Sequence, residues 1–92
     1  MNVRNLKTTL EEKGSKNANS TLTALSHWVR RIFDSDKGQL ETASIEDIET
    51  LEKLVNMGIV SLRRGGGDNI IAELTKDGRE LYMDFVKLGY YL

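Results

Sequence analysis

The chain has 92 residues, 39% of them hydrophobic and 29% charged, with a formal net charge of −1. That is the length of one compact domain, 1–92, and a folded rather than a disordered composition; a unit this small buries only about 60–65% of its unfolded surface, so a second subunit would add useful core. Cysteine and proline are absent and His27 is the sole histidine, which excludes disulfides, zinc–thiolate sites, thiol nucleophiles and histidine pairs, and leaves every turn to Gly, Asn, Asp or Ser.

Val3, Leu6 and Leu10 recur at helical spacing, and Gly14 is placed to stop that helix in a left-handed conformation. A polar loop is expected over 15–21. Ser20 or Thr21 then caps a second helix with the apolar stripe Leu22, Leu25, Trp28, Val29, Ile32 and Phe33. The text DSDKG breaks it, and 39–42 reads as a short extended piece. Ser44 is the expected N-cap of a third helix, with Glu46 and Asp47 in a first turn where carboxylates suit the helix dipole. Ile45, Ile48, Leu51, Leu54 and Val55 form its expected buried stripe, and Gly58 its terminator.

From Ile59 the period changes from 3.6 to 2. In IVSLRR, Val60 and Leu62 share one face; in NIIAEL, Ile70, Ala72 and Leu74 alternate against Ile71 and Glu73. The glycine-rich GGGDN between them is a hairpin tip that permits positive φ. Thr75 caps a fourth helix with Asp77 in its first turn and Leu81, Tyr82, Phe85, Val86 and Leu88 on its apolar face.

The order of these pieces, and above all LEKLVNMGIV followed by a hairpin and then ELTKDGRELY, resembles a winged helix-turn-helix domain. The second stretch carries the strand-to-helix pattern "LT-x-x-G-x-x-L", in which Leu74 points to the core, Thr75 caps and Gly78 permits close approach. The spacing between Gly38 and Gly58 resembles PadR-type repressors more than MarR-type ones. The fold implied is α+β and mostly helical: three helices, a two-stranded β-hairpin wing and a C-terminal helix. The function implied is DNA binding by a small homodimeric transcriptional regulator.

In such a domain the third helix reads base edges and the wing touches phosphates or the minor groove. Thr50, Lys53 and Asn56 are then the expected base readers, Arg63 and Arg64 the wing contacts, and Arg30 and Arg31 the backbone clamps. Charge is distributed unevenly: 1–33 carries six basic and two acidic side chains, 34–58 two basic and seven acidic, and 59–92 five of each. The third helix is acidic on its polar face, with Glu46, Asp47, Glu49 and Glu52, and carboxylates facing a polyanion oppose binding. A winged helix serving as a protein-interaction module, through this acidic helix and the aromatic C-terminus, is therefore the competing expectation. Tyr82, Phe85, Tyr90, Tyr91 and Leu92 form the expected dimer interface, because aromatics bury large areas at low entropic cost.

No enzyme, metal or cofactor is expected. The glycine run follows a strand but precedes another strand, unlike a phosphate loop. The opening text MNVRNLKTTLEEKG has no signal-like apolar stretch, and no run nears the ~20 apolar residues that span a bilayer, so a cytoplasmic protein without a membrane partner is expected.

Overall fold

The computed structural model describes residues 1–14 and 16–92. Along the chain lie α1 (Val3–Glu12), α2 (Ala18–Phe33), a 3-10 turn (Asp36–Gly38), β1 (Gln39–Thr42), α3 (Ile45–Asn56), β2 (Val60–Arg64), β3 (Ile70–Leu74) and α4 (Lys76–Lys87). The class is α+β and mostly helical, with four helices and one antiparallel sheet of order β1-β3-β2. Among the described residues no helix is long and apolar enough to cross a membrane.

The start of α1 is fixed by two acceptors. Asn2 Oδ1 accepts from the Asn5 amide at 2.8 Å, and the Asp84 carboxylate of α4 accepts from the Val3 amide at 2.7 Å. These satisfy amides that a helix N-terminus leaves without partners. Val3 and Leu6 are buried and Leu10 packs at the margin.

The second helix begins earlier than its sequence suggests, at Ala18 rather than after a cap at Ser20 or Thr21, so most of the expected loop 15–21 is helical or turn; Ser15 lies outside the described residues. Asn17 occupies the N-cap without a side-chain capping bond, whereas Ala18 is buried one turn before Leu22. Burial, not capping, sets this boundary. Phe33, expected in the buried stripe, is 43% exposed at the end of α2, and Trp28 is half-buried.

Both Ser44 and Thr75 cap as expected, accepting from the amides of Asp47 and Gly78 at 3.3 and 3.1 Å. Only Leu51 and Leu54 of the expected α3 stripe are buried; Ile48 is half-buried, Val55 exposed, and Ile45 75% exposed because it starts the helix beyond the core. The helix ends in a Schellman arrangement: Ile59 N donates to Leu54 O at 3.1 Å and Gly58 N to Val55 O at 2.9 Å, with Gly58 at φ 77°. The end of α4 repeats it. Tyr90 N donates to Phe85 O and Gly89 N to Val86 O, both at 3.1 Å, with Gly89 also at φ 77°.

The sheet has three strands, not the two expected. Glu41 pairs with Ile71 and Leu40 with Ala72 across β1 and β3, while Arg63 pairs with Ile71 and Leu62 with Ala72 across β2 and β3. Alternation along the strands puts Val60, Leu62, Ala72, Leu74 and Leu40 on the core face and Gln39, Glu41, Ser61, Arg63, Ile71 and Glu73 on the other. The short extended piece expected at 39–42 is β1, although with the single apolar residue Leu40 its sequence did not show that it pairs with β3.

The core is Leu22, Val29 and Ile32 of α2, Leu51 of α3, Ile59, and Leu81 and Phe85 of α4, all fully buried. Thr75 ties its two halves. Its hydroxyl lies 2.6 Å from Gly58 O, and its amide donates to Ile59 O at 2.9 Å, so the end of α3 and the start of α4 share one junction.

Candidate nucleic-acid interface

The hairpin tip is short and self-bonded. Gly65 N donates to Asn69 O at 2.9 Å and Asn69 N to Gly66 O at 3.1 Å, while Gly67 takes φ 60°. Asn69 Nδ2 also donates to Glu41 Oε1 at 3.0 Å, which fastens the tip to β1. Gly66 and Gly67 have open space where a side chain would stand, so the backbone there is free to approach a large ligand closely.

The two hairpin arginines do not act as a pair. As neighbours on β2 they point to opposite sides of the sheet. Arg63 lies on the polar face, where its Nη2 donates to Gln39 Oε1 at 3.1 Å beside Glu41. Arg64, at the last rung opposite Ile70, is exposed and has no ion pair or side-chain hydrogen bond among the described residues. Of the two, Arg64 is the freer cation.

Arg30 and Arg31 at the end of α2 are both engaged within the chain. Arg30 Nε stands 3.4 Å from Asp34 and its guanidinium 5.1 Å from the Tyr91 ring centre. Arg31 Nη2 stands 3.4 Å from Asp47 and its guanidinium 4.8 Å over Trp28. Exposed pairs of this kind are worth about 0–1 kcal/mol each, so a phosphate can compete for either arginine. The Arg31–Asp47 pair joins residues of α2 and α3 sixteen apart, with Thr42 Oγ1 donating to the same carboxylate at 3.3 Å. No periodicity or spacing in the sequence signals it.

This contact alters the charge of α3. Asp47 is held by Arg31 and Thr42, leaving Glu46, Glu49 and Glu52 exposed. Of the expected base readers, Lys53 and Asn56 are exposed, whereas the half-buried Thr50 donates its hydroxyl to Glu46 O at 3.2 Å. Thr50 and Lys53 also rim an apolar groove between α2 and α3, floored by Ala24, Leu25, Trp28, Leu54 and Met57. The 3-10 turn and β1 fill residues 36–42, so α2 and α3 are not joined by a tight turn.

The aromatic C-terminus folds onto its own domain. Phe85 is fully buried and is a core residue, which removes it from the expected dimer interface. Tyr90 is half-buried against the edge of Phe85 at 4.7 Å between ring centres, the contact that accompanies a Schellman ending. Tyr91 donates its hydroxyl to Ser26 O at 2.9 Å and stacks on Tyr82 at 5.5 Å; Tyr82 in turn stacks on Phe33 at 3.9 Å. Burial, with Tyr82 alongside, pushes the Tyr91 hydroxyl up to about 12, Arg30 opposing and Asp34 adding to the rise. Leu92 is fully exposed. The signal for this docking was Gly89 followed by an aromatic, the same glycine-then-apolar text that ends α3.

Among the described residues there is no cluster of three or more His, Cys, Asp or Glu arranged to hold a metal. Compared with protein-family models, with curated proteins and with solved structures, the chain gives no match in any of the three.

Proposed function

We propose that this chain is a winged-helix protein that binds duplex DNA as a homodimer and regulates transcription, with no catalytic activity or cofactor of its own. The observation that carries the reading is the continuous unit α3, hairpin, α4. A Schellman turn at Gly58 leads directly into β2, and Thr75 closes the hairpin back onto that turn. This ties the base of the hairpin to the α3–α4 junction, with an open glycine tip at its other end and, beside the tip, Arg64, which has no ion pair among the described residues. Phosphate approach at such a tip is favoured by backbone access and by counterion release. Lys53 and Asn56 on α3 supply base-edge donors, Thr50 being committed to its own helix. Arg63, Arg30 and Arg31 are reserve cations that must first leave their partners within the chain.

Binding of a fluorescent generic duplex, followed by anisotropy at low salt, tests the reading. Saturable binding that weakens steeply with salt supports it, and no binding at low salt overturns it.

One observation favours a second reading, that of a protein-interaction module. Glu46, Glu49 and Glu52 stand exposed on α3, and the Trp28–Met57 groove runs beside that helix. A basic amphipathic helix would match both surfaces. Failure of DNA binding together with tight capture of such a helix would favour it.

A further inference from the structure

The outward face of α4 is largely exposed, with Met1 and Asn2 along one side of it. Gly78, Leu81 and Phe85 turn inward and are buried. At about 100° per residue, Met83 points the opposite way, with Lys76, Arg79, Glu80, Val86 and Lys87 within roughly 60° of it. Met83 is 52% and Val86 44% exposed, and the stacked Tyr82–Phe33 pair borders them. Covering these side chains, the apolar centre of the face, against a partner would remove apolar area from water.

The charges around that centre specify what covers it. Glu80 lies one turn before Met83 and Lys87 one turn after it, both exposed. Lys87 has no ion pair among the described residues, and Glu80 meets the Met1 ammonium at 3.4 Å. Two such helices laid antiparallel about a two-fold axis beside Met83 bring Glu80 of each against Lys87 of the other, twice, with the Met83 side chains packed at the axis. A parallel arrangement sets Glu80 against Glu80 and Lys87 against Lys87. Asp84, nearest the axis, is half-buried and already accepts from the Val3 amide at the positive end of α1, so it adds little self-repulsion. Lys76 and Arg79 are further cations of the same face; Arg79, next to Glu80, donates to Leu74 O at 2.9 Å, which draws its guanidinium toward the end of β3. The Glu80–Lys87 pairing makes the centre of the surface self-complementary, as an isologous interface requires.

We propose that the outward face of α4 is the surface through which two copies of this chain associate, antiparallel about an axis beside Met83. This deepens the homodimer of the proposed function and rests on that part of it. The face replaces the expected interface of Tyr82, Phe85, Tyr90, Tyr91 and Leu92, of which Phe85, Tyr90 and Tyr91 pack within their own chain.

The test is solution mass by analytical ultracentrifugation of the full chain without DNA, with circular dichroism to verify that each variant is folded. Wild type is expected as a dimer. Met83→Glu, on a half-exposed site, is expected as a folded monomer. Glu80→Lys and Lys87→Glu each set like charges against one another and weaken self-association about tenfold. Mixing those two variants restores the dimer, because one chain then offers two cations and the other two carboxylates. A monomeric wild type, a dimer indifferent to Met83→Glu, or a mixture no stronger than its components overturns the proposal. Anisotropy on the same samples separates the two failures. DNA binding with unchanged mass sinks this surface alone, and a dimer sensitive to Met83→Glu that ignores DNA supports this surface while sinking the DNA reading.

Discussion

Gly78 lies so close to Ile59 that a Cβ at residue 78 would overlap the Ile59 carbonyl oxygen. That oxygen also accepts from the Thr75 amide at 2.9 Å, so it cannot retreat without opening the junction between α3 and α4. In an ordinary helix interior, glycine to alanine stabilises by about 0.5–1 kcal/mol. Here the sign reverses. Gly78→Ala is expected to destabilise by about 2–3 kcal/mol, a fall in Tm of roughly 10–20 °C, measurable by thermal unfolding. An unchanged or raised Tm would show that the first turn of α4 is not pressed against Ile59.

The end of α4 gives a second stability prediction. Gly89 holds φ 77°, and the turn it makes delivers Tyr90 to the edge of Phe85. Gly89→Ala is expected to cost about 1–2 kcal/mol through the left-handed conformation alone. Loss of tyrosine near-ultraviolet dichroism should accompany it as Tyr90 and Tyr91 come loose.

Tyr91 makes stability depend on alkaline pH. Burial pushes its hydroxyl up to about 12 in the folded chain, against 10.0 as the ordinary value. Between those values the folded chain keeps a proton that the unfolded chain has lost, so the stability linked to this group is complete below pH 10 and declines as pH rises toward 12. Tyr91→Phe should flatten that decline in denaturant unfolding at pH 9–12, and at neutral pH should cost about 1 kcal/mol for the bond to Ser26 O. An identical alkaline slope in the variant would contradict the assignment.

The junction and the tail show what was and was not legible in the sequence. Both α3 and α4 end in a glycine followed by an apolar residue, Gly58-Ile59 and Gly89-Tyr90. The first stood between a helical and an alternating pattern, so its role was plain. The second stood at an aromatic chain end that also suits an interface, and only the hydrogen bonds to Val86 and Phe85 decide between the two. The hairpin was readable because alternation over five residues on each side of a glycine tip has few other outcomes. The extended piece 39–42 was readable as such, but an edge strand with one apolar residue carries no signal for its pairing with β3. The start of α2 was misplaced because local capping text, Ser20 and Thr21, was outweighed by burial of Ala18.

The candidate interface was legible only as a set of residue types. Arg63 and Arg64 are adjacent in sequence, yet strand geometry sends them to opposite faces and gives Arg63 a partner in Gln39. The engagement of Arg31 by Asp47 depends on how α2 and α3 meet, which no local pattern encodes.

The acidic face of α3 makes a prediction of opposite sign to most interface mutations. If that face lies against DNA, Glu49→Gln with Glu52→Gln should tighten binding to generic duplex several-fold by removing two repulsive charges. If DNA lies only along the hairpin, beyond a Debye length of about 8–10 Å, the same variant should bind as wild type does. Anisotropy titration at low salt separates these two geometries.

The most direct test of the central claim is the salt dependence of duplex binding by wild type and by the Arg63→Ala/Arg64→Ala variant. Each phosphate contact adds about 0.9 to the slope of log affinity against log salt concentration. Wild type is predicted to bind generic duplex with a steep slope, and the double variant to bind more weakly with a slope shallower by about one to two, Arg64→Ala accounting for most of the change. Equal slopes and equal affinities in the two proteins, or no binding by wild type at low salt, would contradict it.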